Sequence, residues 1–376
     1  MTIPQRLTAR HYRTGESITI TYADGWILAV ETAPEPAEDW VAPALFDLQI
    51  NGCMGRAFNA IDLRPEDVRL VVRHAAKHGI SGLCPTLITG PFAALAHGFT
   101  ILRQACDADA DLSHALPCFH LEGPYISPED GPRGAHPLVY VRPPDLDEFR
   151  RWQDAAGGRI RLVTLSPEYD NALSFIESLS RAGVVVAIGH TAATPARIRD
   201  AVRAGAQLST HLGNGSHAVL PRHDNYLWEQ LAADDLWASV IADGHHLPPA
   251  ILRGIIRMKT PARVVLTCDA SSLAGLPPGR YEMWGQALEI LPTGRVVVPG
   301  TPFLAGSGVF LDACVAHLLS LGEVSLADTL DMAGARPRTL LRLPAVELKP
   351  GSPADLVRFR HGEGQPFEVV ETIVGR

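Results

Sequence analysis

The segment VVVAIGHTAATPARIRDAVRAGAQLSTH, residues 184–211, carries the pattern that decides the fold. Two short runs of apolar residues within it predict strands over 184–189 and 206–211. Between these runs, Thr194 is a typical N-cap and is followed by a proline that suits a first helical turn, so a helix is predicted over 195–204. Strand, helix and strand in this order are typical of a parallel sheet.

The same alternation continues on both sides of this segment. An amphipathic helix is predicted over 65–78, for example, after the first of the buried apolar runs. The predicted strands cover 44–50, 82–87, 118–122, 161–165, 184–189, 206–211, 238–242 and 264–269. Eight such units favour a closed barrel, so we predict an α/β fold built on a (β/α)₈ TIM-like barrel.

The two ends of the chain differ from this pattern. Apolar and polar residues alternate over 17–29, and a Pro-rich acidic linker follows over 33–40. The segments predicted after the eighth strand are a hairpin over 279–298 with its turn at 292–294, helices over 309–319 and 326–333, and strands around 351–357 and 369–374. We therefore predict a small β-sandwich domain formed by both termini, residues 1–43 and 345–376, beside a barrel domain of residues 44–344.

Composition excludes several classes of protein. Hydrophobic residues make up 46% of the chain and charged residues 20%, which is the balance of an ordinary globular protein. The net charge of −8 and the dispersed lysines and arginines argue against a nucleic-acid partner. No apolar run is long enough for a membrane helix and the first residues lack a signal-peptide pattern, so no membrane association and a cytoplasmic location are expected. The six cysteines form no CxxC pair and are predicted to be reduced core thiols.

Four side chains are expected to meet at one rim of the barrel. The carboxyl ends of the strands open onto a common pocket in such folds. Strand three ends at Glu122, strands five and six lead into His190 and His211, and strand eight ends at Asp269. Two histidines and a glutamate are a known ligand set for catalytic Zn²⁺, an ion that lowers the pKa of water and polarises an amide carbonyl. Asp269 is then a candidate base for the water and a candidate acid for the leaving amine.

Strand one departs from the commonest pattern of metal hydrolases on this barrel. Many of them carry His-x-His at its end, with both side chains on one face, whereas this chain has Gln49 and Asn51. A neutral amide is a poor zinc ligand. We therefore predict one strongly bound divalent metal ion per subunit, with Gln49 and Asn51 forming hydrogen bonds around it.

Several motifs occur in order from about Leu45 to Val357. They lie at 120–125, 134–137, 189–194, 210–214, 241–246, 267–270, 304–307 and 350–357. Together they resemble the N-acetylglucosamine-6-phosphate deacetylase family of the amidohydrolase superfamily. The resemblance implies a metal, with Zn²⁺ expected, on Glu122, His190 and His211, and a catalytic carboxylate at Asp269. The implied reaction is metal-dependent deacetylation of N-acetylglucosamine 6-phosphate to glucosamine 6-phosphate and acetate.

The resemblance also implies a set of substrate contacts for a small-molecule amino sugar phosphate. His136 and His246 would face the sugar and its acetamide, and Asn214 and the Gly215 backbone would face the phosphate. Arg222 matches an arginine that binds the phosphate from the partner subunit, so a homodimer is implied. An arginine fork can donate two charge-assisted hydrogen bonds to a phosphate.

Each of these residues also has a purely structural interpretation. A lone histidine at a strand end usually forms structural hydrogen bonds, and a lone aspartate often caps the following helix. His136 could brace its loop, His246 could be a solvated loop residue, and Arg222 could pair with Asp224. Four reactive residues at four strand ends are harder to produce by chance, which favours the metal site.

The chain departs from the resembled family after strand six. Members usually continue with an aromatic residue and an Asn-Ala-Met run, whereas residues 213–217 read Gly-Asn-Gly-Ser-His. His217, His223 and Trp228 could mark another substrate, such as the galactosamine epimer, an unphosphorylated sugar, or another N-acyl or cyclic amide compound. A sugar-phosphate-binding protein without catalysis is a further alternative, but binding alone would not require Asp269.

Overall fold

The computed structural model describes residues 3–283, 286–301 and 303–375. The predicted terminal, hairpin and barrel ranges include a few positions that lie outside the described residues, namely 1, 2, 284, 285, 302 and 376. The strands within the described part are β1 (Gln5–His11), β2 (Ser17–Ala23), β3 (Trp26–Thr32), β4 (Trp40–Pro43), β5 (Leu45–Ile50), β6 (Gly52–Cys53), β7 (Arg56–Ala57), β8 (Ile80–Ile88), β9 (Phe119–Glu122), β10 (Ile160–Leu165), β11 (Val185–Ile188), β12 (Ala206–Ser209), β13 (Trp237–Ile241), β14 (Val264–Thr267), β15 (Gly279–Met283), β16 (Gln286–Ile290), β17 (Val296–Val297), β18 (Leu356–Gly362) and β19 (Gln365–Ile373).

Helices follow the predicted pattern closely. Predicted helices 65–78, 195–204, 309–319 and 326–333 agree with α1, α6, α9 and α10 to within two residues at each end. The helices are α1 (Pro65–Ala76), α2 (Phe92–Ala108), α3 (Ala110–Ala115), α4 (Leu146–Ala155), α5 (Ala172–Arg181), α6 (Pro195–Ala204), α7 (Tyr226–Ala232), α8 (Pro249–Lys259), α9 (Leu311–Ser320), α10 (Leu326–Met332) and α11 (Ala335–Leu340).

The residues at the two ends of helix α6 explain where the helix begins and ends. The Thr194 side chain accepts a hydrogen bond from the backbone N–H of Arg197 at 3.3 Å, which satisfies one of the unpaired donors of the first turn. Gly205 ends the helix with a φ of 114°, a left-handed conformation that glycine adopts without steric cost. Strand β12 begins at the next residue, so the whole unit fits in a short segment.

An eight-stranded parallel barrel forms the centre of the molecule. Its strands run in the order β5-β8-β9-β10-β11-β12-β13-β14, which is the order predicted, and the (β/α)₈ fold is confirmed. An isolated parallel bridge between Ile50 and Ala270 joins the first strand to the segment after the last one. The barrel interior is packed with apolar side chains, including Phe46, Leu162 and Val265, so it is a core and not a channel.

Both ends of the chain contribute to a second sheet, as predicted. Its six strands lie in the order β19-β18-β4-β1-β2-β3, and β18 pairs antiparallel with both β4 and β19. The limits 1–43, 345–376 and 44–344 stay a prediction, supported by the change of sheet between β4 and β5.

The predicted hairpin over 279–298 forms a small three-stranded sheet, β15-β16-β17. Its turn lies where predicted, because the N–H of Gly294 donates to the carbonyl of Leu291 at 2.9 Å. The six cysteines of the chain are buried and free, in agreement with the prediction of reduced thiols. None of the described helices has both the length and the apolar character needed to cross a bilayer.

Candidate active site

The carboxyl ends of four barrel strands carry the predicted reactive residues. Glu122 is the last residue of β9, while His190, His211 and Asp269 each lie two residues beyond β11, β12 and β14. These three have positive φ angles of 50°, 30° and 51°, in a region that non-glycine residues rarely adopt. The neighbouring structure must hold them there, and such strained positions cluster at functional sites.

Glu122 lies between the two predicted histidine ligands. Its Oε1 atom is 3.2 Å from Nε2 of His190 and 3.0 Å from Nε2 of His211. The three side chains are almost fully buried, with exposed fractions of 3%, 8% and 4%. Burial alone would raise the pKa of Glu122, but its hydrogen bonds with both imidazoles hold that pKa well below its usual range. The carboxyl group is therefore ionised.

The hydrogen bond on the far side of His190 indicates what this cluster requires. Its Nδ1 atom lies 2.8 Å from the carbonyl oxygen of Pro132, which can only accept, so Nδ1 carries the hydrogen. Its Nε2 atom can then donate a hydrogen bond to the Glu122 carboxylate only if the ring carries a second proton; without that proton, Nε2 presents a lone pair to the carboxylate. A cation or a proton between these two acceptors removes the repulsion. His211 Nδ1 is also buried without a hydrogen-bond partner. One carboxylate and two imidazoles in contact with each other therefore form a ligand set that fits a divalent cation.

His136 lies next to Glu122 and His190, close enough to serve as a metal ligand itself. Ligand atoms of Glu122, His136 and His190 all lie within 4.8 Å of one another. Burial and the neighbouring His190 lower the pKa of His136 to about 3, so its imidazole is neutral, as metal ligation requires. Its Nδ1 atom lies 2.8 Å from the Thr89 hydroxyl. Glu122 and His190 thus form a potential metal-binding triad with either His136 or His211.

Two amides hold the candidate catalytic carboxylate. Asp269 Oδ1 accepts hydrogen bonds from Gln49 Nε2 at 3.1 Å and from Asn51 Nδ2 at 2.7 Å. The sequence predicted that these amides surround the ion, whereas the structure directs their donors to Asp269. Burial, and then the nearby Glu122, raise the pKa of Asp269 to about 7. A cation bound at Glu122 would oppose that rise, since positive charge favours the carboxylate.

A single cavity of about 360 Å³ contains most of the predicted residues. The predicted residues that line it are Asn51, Glu122, His136, His190, His211, Asn214, Gly215, His246 and Asp269. Gly215 has a φ of 56°, and a Cβ atom there would lie only 2.7 Å from His190 Nδ1. Only glycine therefore fits against that ring. The predicted phosphate contact at Gly215 therefore lies directly against His190, a candidate metal ligand.

His246 is fixed by an acidic neighbour and is not a solvated loop residue. Its Nδ1 atom lies 2.8 Å from Asp243 Oδ2, which also accepts a hydrogen bond from the Ser307 hydroxyl at 3.2 Å. Although burial opposes it, this contact with His246 lowers the pKa of Asp243 to about 2. An ionised Asp243 therefore sets the orientation of His246 at the cavity wall.

Arg222 lies apart from the cavity of its own chain. It is exposed on the loop before α7, and its side chain forms no ion pair with Asp224 or any other described residue. Only its backbone carbonyl is engaged, by the Trp228 indole N–H at 3.2 Å. The loop therefore leaves the guanidinium free to reach another molecule.

Sequence reasoning missed three residues at this site. Asp243 lies inside the motif at 241–246, which was the available signal for it. Thr89 is brought to His136 only by the fold. Arg295 lines the cavity from the turn between β16 and β17, which is no barrel strand end and therefore gave no signal.

Known proteins were compared with this chain in sequence and in structure. No family model matches it. It is 32% identical to the N-acetylgalactosamine-6-phosphate deacetylase of Escherichia coli O157:H7, over 90% of both chains. It is 34% identical to the N-acetylglucosamine-6-phosphate deacetylase of Homo sapiens, over 84% of this chain and 78% of the relative.

Solved structures agree with these relatives. An N-acetyl-D-glucosamine-6-phosphate deacetylase variant from Mycobacterium smegmatis, solved in complex with N-acetyl-D-glucosamine-6-phosphate, superposes with a TM-score of 0.88 at 29% identity. The match covers 100% of this chain and 98% of that one. The chain belongs to the N-acetylglucosamine-6-phosphate deacetylase family of the amidohydrolase superfamily.

Proposed function

We propose that this protein hydrolyses N-acetylglucosamine 6-phosphate to glucosamine 6-phosphate and acetate, with one divalent ion per subunit. The observation that carries the proposal is the buried cluster of Glu122, His190 and His211 in one cavity with Asp269. Relatives over most of the chain carry this activity in their names, and the human one is an example.

Glu122, His190 and His211 would hold the ion, and Zn²⁺ is the ion we propose. When bound, a divalent ion polarises the amide carbonyl and makes water a better nucleophile at neutral pH. A single ion is favoured because neutral amides, which are poor zinc ligands, stand at Gln49 and Asn51 in place of a histidine pair. A carboxylate and two imidazoles suit zinc, although Fe²⁺, Co²⁺ and Mn²⁺ accept similar ligands.

Asp269 is the proposed general base and general acid. Its Oδ1 atom is occupied by the two amides, while Oδ2 accepts no hydrogen bond from the described residues. Oδ2 takes a proton from the attacking water as the new C–O bond forms at the acetyl carbon. The same proton then passes to the amide nitrogen, so that the C–N bond breaks and releases the amine and acetic acid, which gives up its remaining proton to the amine or to water and leaves as acetate.

The proposed substrate contacts are residues that line the cavity. His246 and His136 would bind the sugar and its acetamide, and Asn214 and the Gly215 backbone would bind the phosphate. We also propose a homodimer in which Arg222 of the partner subunit reaches the phosphate, and a cytoplasmic location. The exposed, unpaired state of Arg222 supports the first of these two proposals.

The galactosamine epimer is the second candidate substrate. The Escherichia coli relative that aligns over 90% of both chains is named for N-acetylgalactosamine 6-phosphate. The loop after β12, which reads Gly-Asn-Gly-Ser-His over 213–217, also departs from the resembled pattern at the cavity wall.

Acetate release from a small panel of sugars tests the proposal. The metal-loaded protein would be assayed with both N-acetyl hexosamine 6-phosphates and with both unphosphorylated sugars. We expect the highest kcat/KM with N-acetylglucosamine 6-phosphate, loss of turnover after chelation, and recovery after Zn²⁺ is restored. A higher kcat/KM with the galactosamine epimer would establish the second candidate, and no acetate from any sugar would refute both.

A further inference from the structure

We propose that Arg295, supplied by the same chain, binds the phosphate of the substrate in the active-site cavity. This inference rests on the proposed function, because it concerns the phosphorylated substrate of that site. Arg295 lies in the turn between β16 and β17 and lines the same cavity as Glu122 and Asp269.

The charges of the cavity wall support a dedicated anion contact. Among the described residues that line it, Arg295 is the only arginine or lysine, while Glu122 and Asp269 supply negative charge. The whole chain also carries a net charge of −8. A phosphate that enters this environment needs a local cation, and an arginine fork can donate two parallel hydrogen bonds to it.

The Arg295 side chain has no partner among the described residues. Its Nε atom is buried without a hydrogen-bond partner, and no described carboxylate forms an ion pair with it. By contrast, Arg280 on the same small sheet pairs with Glu289 at 3.6 Å. A partly buried guanidinium without a partner is unfavourable, so an anion bound in the cavity would satisfy it.

The backbone around Arg295 is well anchored. Its carbonyl accepts a hydrogen bond from the N–H of Leu291 at 2.8 Å, and the next residue, Val296, is buried and pairs with Ile290. A bridge between Val297 and Leu304 links this turn to another part of the cavity wall. The arginine therefore starts from a fixed position, which lowers the entropy cost of binding.

Kinetics with phosphorylated and unphosphorylated N-acetylglucosamine test the role of Arg295. We expect Arg295→Gln to lower the ratio of the two kcat/KM values by roughly 10- to 100-fold, mainly through KM for the phosphorylated sugar. Arg295→Lys should restore part of this ratio, because it keeps the charge but not the fork. Arg280→Gln, on the same small sheet but away from the cavity, is the matched control and should leave the ratio unchanged.

An equal loss for both sugars, or no loss for either, would overturn the inference while leaving the proposed function intact. If the unaltered protein releases no acetate at all, the proposed function fails, and calorimetric titration with inorganic phosphate still tests Arg295. Weaker phosphate binding by Arg295→Gln, with unchanged thermal unfolding, would support the inference. Equal binding by both proteins, or no binding by either, would overturn it.

Discussion

Asp269 uses its two carboxylate oxygens differently. Gln49 and Asn51 donate to Oδ1, so the amides hold the group in place without neutralising its charge. A histidine pair at the same positions would have offered ligands to a second cation instead. Oδ1 thus positions the side chain, and Oδ2 is left for proton transfer. Asp269 is therefore the most informative residue to substitute.

Asp269→Asn should lower kcat by roughly 10²- to 10⁴-fold, because the amide cannot take a proton from water. The bound metal, measured by mass spectrometry of the purified protein, should stay near that of the unaltered chain, since Glu122, His190 and His211 are unchanged. A variant with normal kcat would remove Asp269 from the mechanism.

The two possible triads differ in one histidine and can be separated by metal content. We expect His211→Asn to weaken metal binding by more than ~100-fold, since even residues that only orient ligands contribute 10- to 100-fold. His136→Asn should keep the metal and raise KM. The exposed His223→Asn is the control. The reverse pattern would assign the ligand role to His136.

At the scale of elements, the seam between β5 and β14 depends on one buried carboxylate. Few backbone contacts join these strands, beyond the Ile50–Ala270 bridge. Asp47 accepts hydrogen bonds there from the Thr267 hydroxyl at 2.5 Å and the Cys268 N–H at 2.9 Å. Asp47 therefore closes the barrel directly beside Asp269.

Asp47→Ala should lower the free energy of unfolding by about 3 kcal/mol, because Thr267 and Cys268 at the end of β14 and the Gln49 N–H of β5 lose their buried acceptor. Urea denaturation followed by circular dichroism measures this, with the exposed Asp235→Ala as the control. Equal midpoints for the two variants would show that the seam does not need this carboxylate.

Local periodicity and one rule of barrel geometry were enough to predict the strands, the helices compared above and the strand-end residues. Eight apolar runs separated by helical segments leave few alternatives to a barrel, and Glu122, His190 and His211 then converge. The Asp47 seam and the position of His136 were not predictable, since they depend on contacts between segments far apart in sequence. Arg295 was missed because nothing in a hairpin turn shows that it faces a cavity.

On the scale of the whole molecule, an ion pair between His114 and Asp355 is one of the contacts that link the barrel to the terminal sheet. His114 on α3 lies 2.8 Å from Oδ2 of the fully buried Asp355, just before β18. The hydrogen bond with Asp355 raises the pKa of His114, while partial burial opposes the rise. The charged histidine is therefore favoured in the folded state.

This pair predicts a specific pH dependence of stability. Because the folded pKa of His114 lies above its unfolded value of about 6.5, its contribution is complete below that pH and is lost as the pH rises through the folded pKa. The gap in unfolding free energy between the unaltered protein and His114→Gln should therefore be widest below about pH 6.5 and narrow as the pH rises above that value. The exposed His223→Gln should show no such change, and a constant gap for His114→Gln would contradict the prediction.

A shared active site in the proposed homodimer would be visible by mixing two defective variants. Arg222→Gln chains lack the donated arginine and Asp269→Asn chains lack the catalytic carboxylate. A hybrid dimer would contain one intact site, made of Asp269 from the first chain and Arg222 from the second. Random assortment makes half of the dimers hybrids, so about a quarter of all sites should be intact after the variants are refolded together.

Activity at low substrate concentration should then rise above the mean of the two separate variants. Light scattering checks that the mixture is dimeric. Dimers without such recovery would mean that Arg222 acts only in its own subunit or not at all, and phosphate binding would then depend on residues of one chain.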